Sequence, residues 1–98
     1  MVRMLVLYNR PEDLAAFDKH YNEIHIPLAK QMPGLLRYTV SRNLSKGAPY
    51  YLVAELDWED MAAFRAAVAS PVAAEAAADV EKFATGGSSS LIFEVAEV

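Results

Sequence analysis

Two histidines, His20 and His25, are the side chains of this 98-residue sequence whose ordinary proton affinity lies near neutral pH, since it contains no cysteine. They are the first candidates for proton-transfer chemistry. Leu14, Phe17, Tyr21 and Ile24 recur at three- and four-residue spacing, the signature of one helical face. At ~100° per residue, His25 falls inside the arc of Leu14, Phe17 and Tyr21, and His20 lies at its margin, about 60° from Phe17. His25 is therefore expected to point at a sheet, in an apolar gap beside Tyr21, where an imidazole can act as a general base or proton shuttle. A histidine so placed can equally be a core residue bonded to a backbone group.

Metal chemistry has little to build on. His20 and His25 are five residues apart, whereas helical ligands that share a face are three or four apart. No HExxH or carboxylate-rich motif is present, and Asp18 and Glu23 read as solvated. No metal site is expected. Neither a GxGxxG nor a GxxxxGK[ST] pattern occurs, and Gly86-Gly87 with Ser88-Ser89-Ser90 precedes a strand rather than a helix. No cofactor is expected.

The tyrosines are Tyr8, Tyr21, Tyr38, Tyr50 and Tyr51. Tyr8 closes the first strand, where a ligand mouth often lies, and its hydroxyl could orient an aromatic ligand or simply pack as strand aromatics do. Glu55 and Glu94 fall inside strands and are expected in solvent or in ion pairs with Arg37 or Arg3. Nothing marks a second acid–base residue beside His25.

Nine basic against thirteen acidic residues give a net charge of −4, with the arginines and lysines scattered. A nucleic-acid binder needs a basic stripe to neutralise phosphates, so nucleic acid and anionic membrane surfaces are not expected partners. The apolar run at residues 4–8 is too short for a signal-peptide core. No stretch approaches the ~20 apolar residues of a membrane span. A soluble, cytoplasmic protein is expected, folded as one domain over residues 1–98.

Elements must position these side chains. Residues 2–9, 35–44, 50–58 and 91–98 read as strands, with a hairpin loop at 45–49. Pro11 suits a first helical position, with Glu12 and Asp13 in the first turn. Pro27 disfavours helical geometry at Ile26, so the regular helix is expected to end near His25, with room for a short further turn through Leu28 to Gln31 before Pro33-Gly34 stops it. A second helical region starts after a cap at Asp57 and shows Met61, Phe64 and Val68. It breaks at Ser70-Pro71 and restarts with Val72, Ala76, Val80 and Phe83 on one face. Gly86 to Ser90 reads as a flexible connector. Strand, helix, strand, strand, split helix, strand makes an α+β, ferredoxin-like βαββαβ sandwich on a four-stranded antiparallel sheet. Helices cover only one sheet face, and the strands carry apolar residues on both, so a homodimer joined sheet to sheet is expected.

Tyr8-Asn9-Arg10-Pro11-Glu12-Asp13, Ala16-Phe17-Asp18-Lys19-His20-Tyr21, His25-Ile26-Pro27-Leu28-Ala29 and Pro33-Gly34-Leu35 together resemble the EthD family of the dimeric α+β barrel superfamily. The resemblance covers essentially the whole chain. It implies two monomers packing their sheets into a dimeric α+β barrel, with a pocket between helices and sheet in each subunit. His25 matches the histidine of the family's HxP motif and is expected to project into that pocket as the catalytic residue. Tyr21, His20, Tyr8, Phe17 and Tyr51 are expected to line it.

The family's founding member belongs to an ethyl tert-butyl ether degradation system that includes a cytochrome P450. Superfamily relatives include polyketide cyclases, muconolactone isomerases and cofactor-free monooxygenases. Three readings follow. One is a cofactor-free isomerase or cyclase, with His25 as base and Tyr21 and Tyr8 orienting an oxygen of a small apolar or aromatic metabolite. Another is a non-catalytic carrier or accessory dimer serving a pathway oxygenase. The third is a cofactor-free monooxygenase acting on phenols.

Overall fold

A computed structural model describes residues 1–98. Four strands form one antiparallel sheet in the order β2-β3-β1-β4: β1 Val2–Tyr8, β2 Arg37–Ser41, β3 Leu52–Trp58 and β4 Ser88–Glu94. The register places Val2, Met4, Val6 and Tyr8 opposite Trp58, Leu56, Ala54 and Leu52. Side chains alternate across a strand, so these pairs share one face. Most of them are buried there under the helices. The opposite face carries Arg3, Leu5 and Leu7 of β1, Val53 of β3, and Leu91 and Phe93 of β4. This is the ferredoxin-like α+β architecture, with the helical layer on one side only.

The first helical segment runs as α1 Leu14–His20, a π-helical turn Tyr21–His25, and α2 Ile26–Ala29. It starts three residues later than Pro11 suggests, because Asp13 is the cap: its Oδ1 accepts the Ala16 N–H at 3.0 Å. It also runs on past His25. Proline has no N–H and its ring crowds the carbonyl four residues back. The chain accommodates Pro27 by widening a turn, and the Ile26 N–H bonds to Tyr21 five residues back.

The second region is split as its sequence suggests, into α3 Met61–Val68 and α4 Pro71–Phe83. Ser70 caps α4 and Pro71 opens it. The cap of α3 is Asp60, whose Oδ1 accepts the Ala63 N–H at 2.8 Å, not Asp57. Asp57 instead lies on the open sheet face, held by Arg3 through Nε and Nη2 at 2.8 and 3.1 Å. Val68, placed on the apolar face by spacing, is exposed, and Ala67 is buried in its stead.

β4 also differs from expectation. It begins at Ser88 rather than residue 91 and ends at Glu94 rather than 98, because the three serines pair with Tyr8, Leu7 and Val6 of β1. Gly86 makes this possible: a Cβ there would stand 2.2 Å from the Arg10 carbonyl oxygen. No helix is long and apolar enough to cross a membrane.

Candidate functional site

The π-helical turn decides how the two histidines stand. In a regular α-helix a five-residue step turns about 140° away from the starting face. Across the wider turn, closed by an i→i+5 bond, His20 and His25 come onto one face, both towards α4. There the Asp79 carboxylate takes both. His20 Nε2 lies 2.8 Å from Oδ1, and His25 Nδ1 lies 3.0 Å from Oδ2. Phe83, one helical turn further along α4, packs against both rings, with centroids 5.3 Å from His20 and 4.8 Å from His25.

Asp79 is only 4% exposed. Burial alone would push its proton affinity up, but hydrogen bonds from His20 and His25 outweigh that and hold the carboxyl below its usual range. Asp79 is therefore an anion, and both imidazole N–H groups donate to it. His25, 5% exposed, is shifted the other way from an ordinary ion-paired histidine. Burial lowers its pKa by more than the hydrogen bond and charge of Asp79 raise it. Neutral His25 with its proton on Nδ1 leaves Nε2 as a lone-pair acceptor. No protein group engages Nε2, yet no buried side-chain nitrogen or oxygen lacks a partner, so Nε2 opens onto accessible space.

That space is a cavity of about 420 Å³ between α4 and the sheet. Met4, Val6 and Leu56 of the sheet floor it, Ala73 and Ala76 of α4 roof it, and Ser88 to Ser90 form its rim at the β4 edge. The alanines of α4 matter here because larger side chains at these positions would fill the volume. Tyr8, Tyr38 and His25 are its polar groups away from the serine rim, and no arginine, lysine or carboxylate lines it.

The Tyr8 hydroxyl has no partner in the chain, so, by the same reasoning as for Nε2, it faces the cavity. Tyr38 Oη lies 2.6 Å from Tyr21 Oη. Tyr21 is fully buried and has no other acceptor, so its hydroxyl donates and the Tyr38 hydroxyl proton remains free. Burial pushes the pKa of all three phenols up, which keeps them neutral donors.

The residues singled out from sequence separate into four positions. His25 and Tyr8 line the cavity. Phe17 and Tyr21 stand behind it in an aromatic cluster, with ring centroids 5.6 Å from Tyr8 in each case. Tyr51 packs edge-on against Phe17, and its hydroxyl donates to Asp18 at 2.9 Å. His20 lies on the far side of Asp79, in a smaller outer cleft with Glu12, Asp13 and Lys82.

Asp79 and Tyr38 are the site residues that sequence reasoning missed. Asp79 did carry a signal. It sits three residues after Ala76 and four before Phe83, so it is a carboxylate on the apolar stripe of its own helix.

Comparison with known proteins agrees with this architecture. The family model of the EthD domain matches residues 9–87, a span that includes His20, His25, Tyr38 and Asp79. An uncharacterized 11.0 kDa protein of the thcB-thcC intergenic region of Rhodococcus erythropolis is 42% identical over 90 residues, covering 89% of this chain and 87% of that protein. The crystal structure of an EthD family protein from Bacillus halodurans superposes with a TM-score of 0.91 at 31% identity, covering 98% and 99% of the two chains. SnoaB, a cofactor-independent oxygenase from Streptomyces nogalater, matches at a TM-score of 0.74 and 22% identity, covering 99% and 94%. A dimeric ferredoxin-like protein of unknown function from Thermobifida fusca matches at 0.75 and 18%, covering 96% and 90%. The last two likenesses speak for the fold alone. The domain match and the 42% identity carry the assignment: this chain belongs to the EthD family.

Proposed function

We propose that the cavity binds a small, uncharged aromatic or cyclic metabolite and that His25 acts on it as a general base, in an isomerase- or cyclase-type reaction. The observation that carries this reading is the orientation of one imidazole. Nδ1 is tied to a buried carboxylate and Nε2 opens onto a mostly apolar cavity. Asp79 fixes the tautomer and stabilises the imidazolium formed when Nε2 takes a proton, as an orienting carboxylate does for a histidine base. Tyr8 and Tyr38 offer neutral donors to an oxygen on which negative charge develops. Proton transfer of this kind needs no cofactor. The ligand is read as uncharged because no cationic side chain lines the cavity to meet a carboxylate or phosphate.

A thermal-shift screen with small phenols, lactones and polyketide-like aromatics tests binding, since ligands of the native state raise the midpoint by mass action. Each hit is then incubated in D2O and followed by NMR for exchange of its acidic C–H. Exchange that disappears in His25→Ala supports the base. Exchange unchanged in His25→Ala overturns it.

A cofactor-free oxygenase is the second reading. The same base would convert a bound phenol to a phenolate, and oxygen consumption with such a ligand separates the two. Binding without exchange or oxygen uptake would favour a carrier or accessory role beside a pathway oxygenase.

The protein is further read as one domain that forms a homodimer through the open sheet face. Leu91 is 56% and Phe93 39% exposed there, beside Leu5, Leu7 and Val53. An apolar sheet face of this kind is covered in soluble proteins by a second layer.

A further inference from the structure

Asp79 is one negative charge shared by two imidazoles that face different surroundings. Its Oδ2 bonds His25, which looks into the cavity, and its Oδ1 bonds His20, whose side chain is 22% exposed and lines the outer cleft. We propose that His20 is a positioning residue for the cavity base: by holding Oδ1 it orients the carboxylate and competes for the charge that stabilises protonated His25. This rests on the reading of His25 as the base.

The argument is electrostatic and geometric. Asp79 can neutralise one cation fully but not two. Positive charge on His20 would draw on the Asp79 charge and oppose a second positive charge on His25, whose proton affinity it lowers. His20 lines the outer cleft with its side chain 22% exposed, whereas His25 lines only the cavity. Protonation at the outer surface is thus transmitted to the base strength inside the cavity with no movement of the fold. The other titratable groups around the pair are Glu12, Asp13 and Lys82 on the cleft side, the Tyr8 and Tyr38 hydroxyls on the cavity side, and Tyr21, whose ring stacks on His25. None of these bonds to either imidazole, and Asp79 is the only charged group that does.

The test is an NMR titration of the imidazole signals in the ligand-free protein. In His20→Gln, the amide still donates to Oδ1 but carries no charge, so the His25 midpoint should rise by about half a pH unit or more. In the wild type, the His25 curve should depart from a single-site shape, which keeps the test intact if the variant fails to fold. A His25 midpoint unchanged in His20→Gln, or a single-site His25 curve in the wild type, would overturn the proposal. Because no ligand is present, the outcome is separate from that of the catalytic reading. Ligand exchange surviving in His25→Ala removes the base and leaves the coupling measured. An unshifted His25 titration removes the coupling and leaves the base.

Discussion

The His25 Nδ1–H donates a hydrogen bond to Asp79 across 3.0 Å, and this bond ties the π-helical turn to α4. Both partners are nearly sealed from water, and neither would be stable there alone. The histidine supplies a donor that a buried carboxylate needs, and the carboxylate fixes which ring nitrogen is left free.

Removing the carboxylate should therefore cost stability as well as function. Asp79→Ala leaves the His25 Nδ1–H without a partner in a buried setting and is expected to lower the unfolding free energy by about 2–3 kcal/mol. Urea denaturation read by circular dichroism measures it. A loss below about 0.5 kcal/mol would mean the tie contributes little.

Stability should fall with acid in two steps. His25 is held below its ordinary value of 6.5, mainly by burial. Asp79 is held below its ordinary 3.8, its histidine hydrogen bonds outweighing burial. A lowered folded-state value means that the unfolded chain binds the proton more readily, so stability rises with pH. His25's contribution is complete above 6.5 and is lost as pH falls from there through its folded value. Asp79's contribution is complete above 3.8 and is lost below it. Denaturation across this range in wild type and His25→Gln should show the upper step vanish in the variant. An upper step of equal size in both would assign it to another group.

Two tyrosines should respond differently to loss of one oxygen. Tyr8→Phe removes a hydroxyl with no partner in the chain, so stability should change by less than about 0.5 kcal/mol while ligand affinity falls roughly five- to tenfold. Tyr38→Phe also strands the buried Tyr21 hydroxyl and should destabilise by about 1–3 kcal/mol. Paired thermal melts and ligand titrations distinguish them, and equal losses of stability would contradict the assigned hydrogen bonds.

Ala76→Leu should fill part of the cavity from its α4 roof. Ligand-induced stabilisation should disappear while the ligand-free melting temperature holds or rises, as cavity filling commonly gives about 0.5–2 kcal/mol. Retention of ligand binding would place the ligand elsewhere.

The charge of the ligand and the dimer are each open to one simple measurement. A phenol should raise the melting midpoint where the matching benzoate does not, because no cationic side chain lines the cavity. Phe93→Glu on the open sheet face should convert a dimer to a monomer by light scattering while leaving the phenol response in place.

The order of elements, the sheet faces and the break at Ser70-Pro71 were legible in the sequence because they rest on local patterns. Alternation sets a strand's two faces, and a serine followed by proline marks a helix start wherever it occurs. The EthD likeness was legible in the same way, from short strings around His20, His25 and Pro27.

What the sequence could not decide were contacts between side chains far apart in the chain. Periodicity put His25 inside the apolar arc and His20 only at its margin, because a regular helix turns them apart; Pro27 forces a wider turn whose geometry follows from a backbone clash, not from periodicity. Asp79 lies 54 residues from His25 and 59 from His20, and only the packing of α4 onto the π-helical turn makes one carboxylate serve both. The three serines of β4 read as a linker, because strand pairing with β1 is a property of the sheet and not of serine. The sequence determined which residue types could transfer a proton. The tertiary structure decided which nitrogen is free to do it, because that depends on where a distant carboxylate is held.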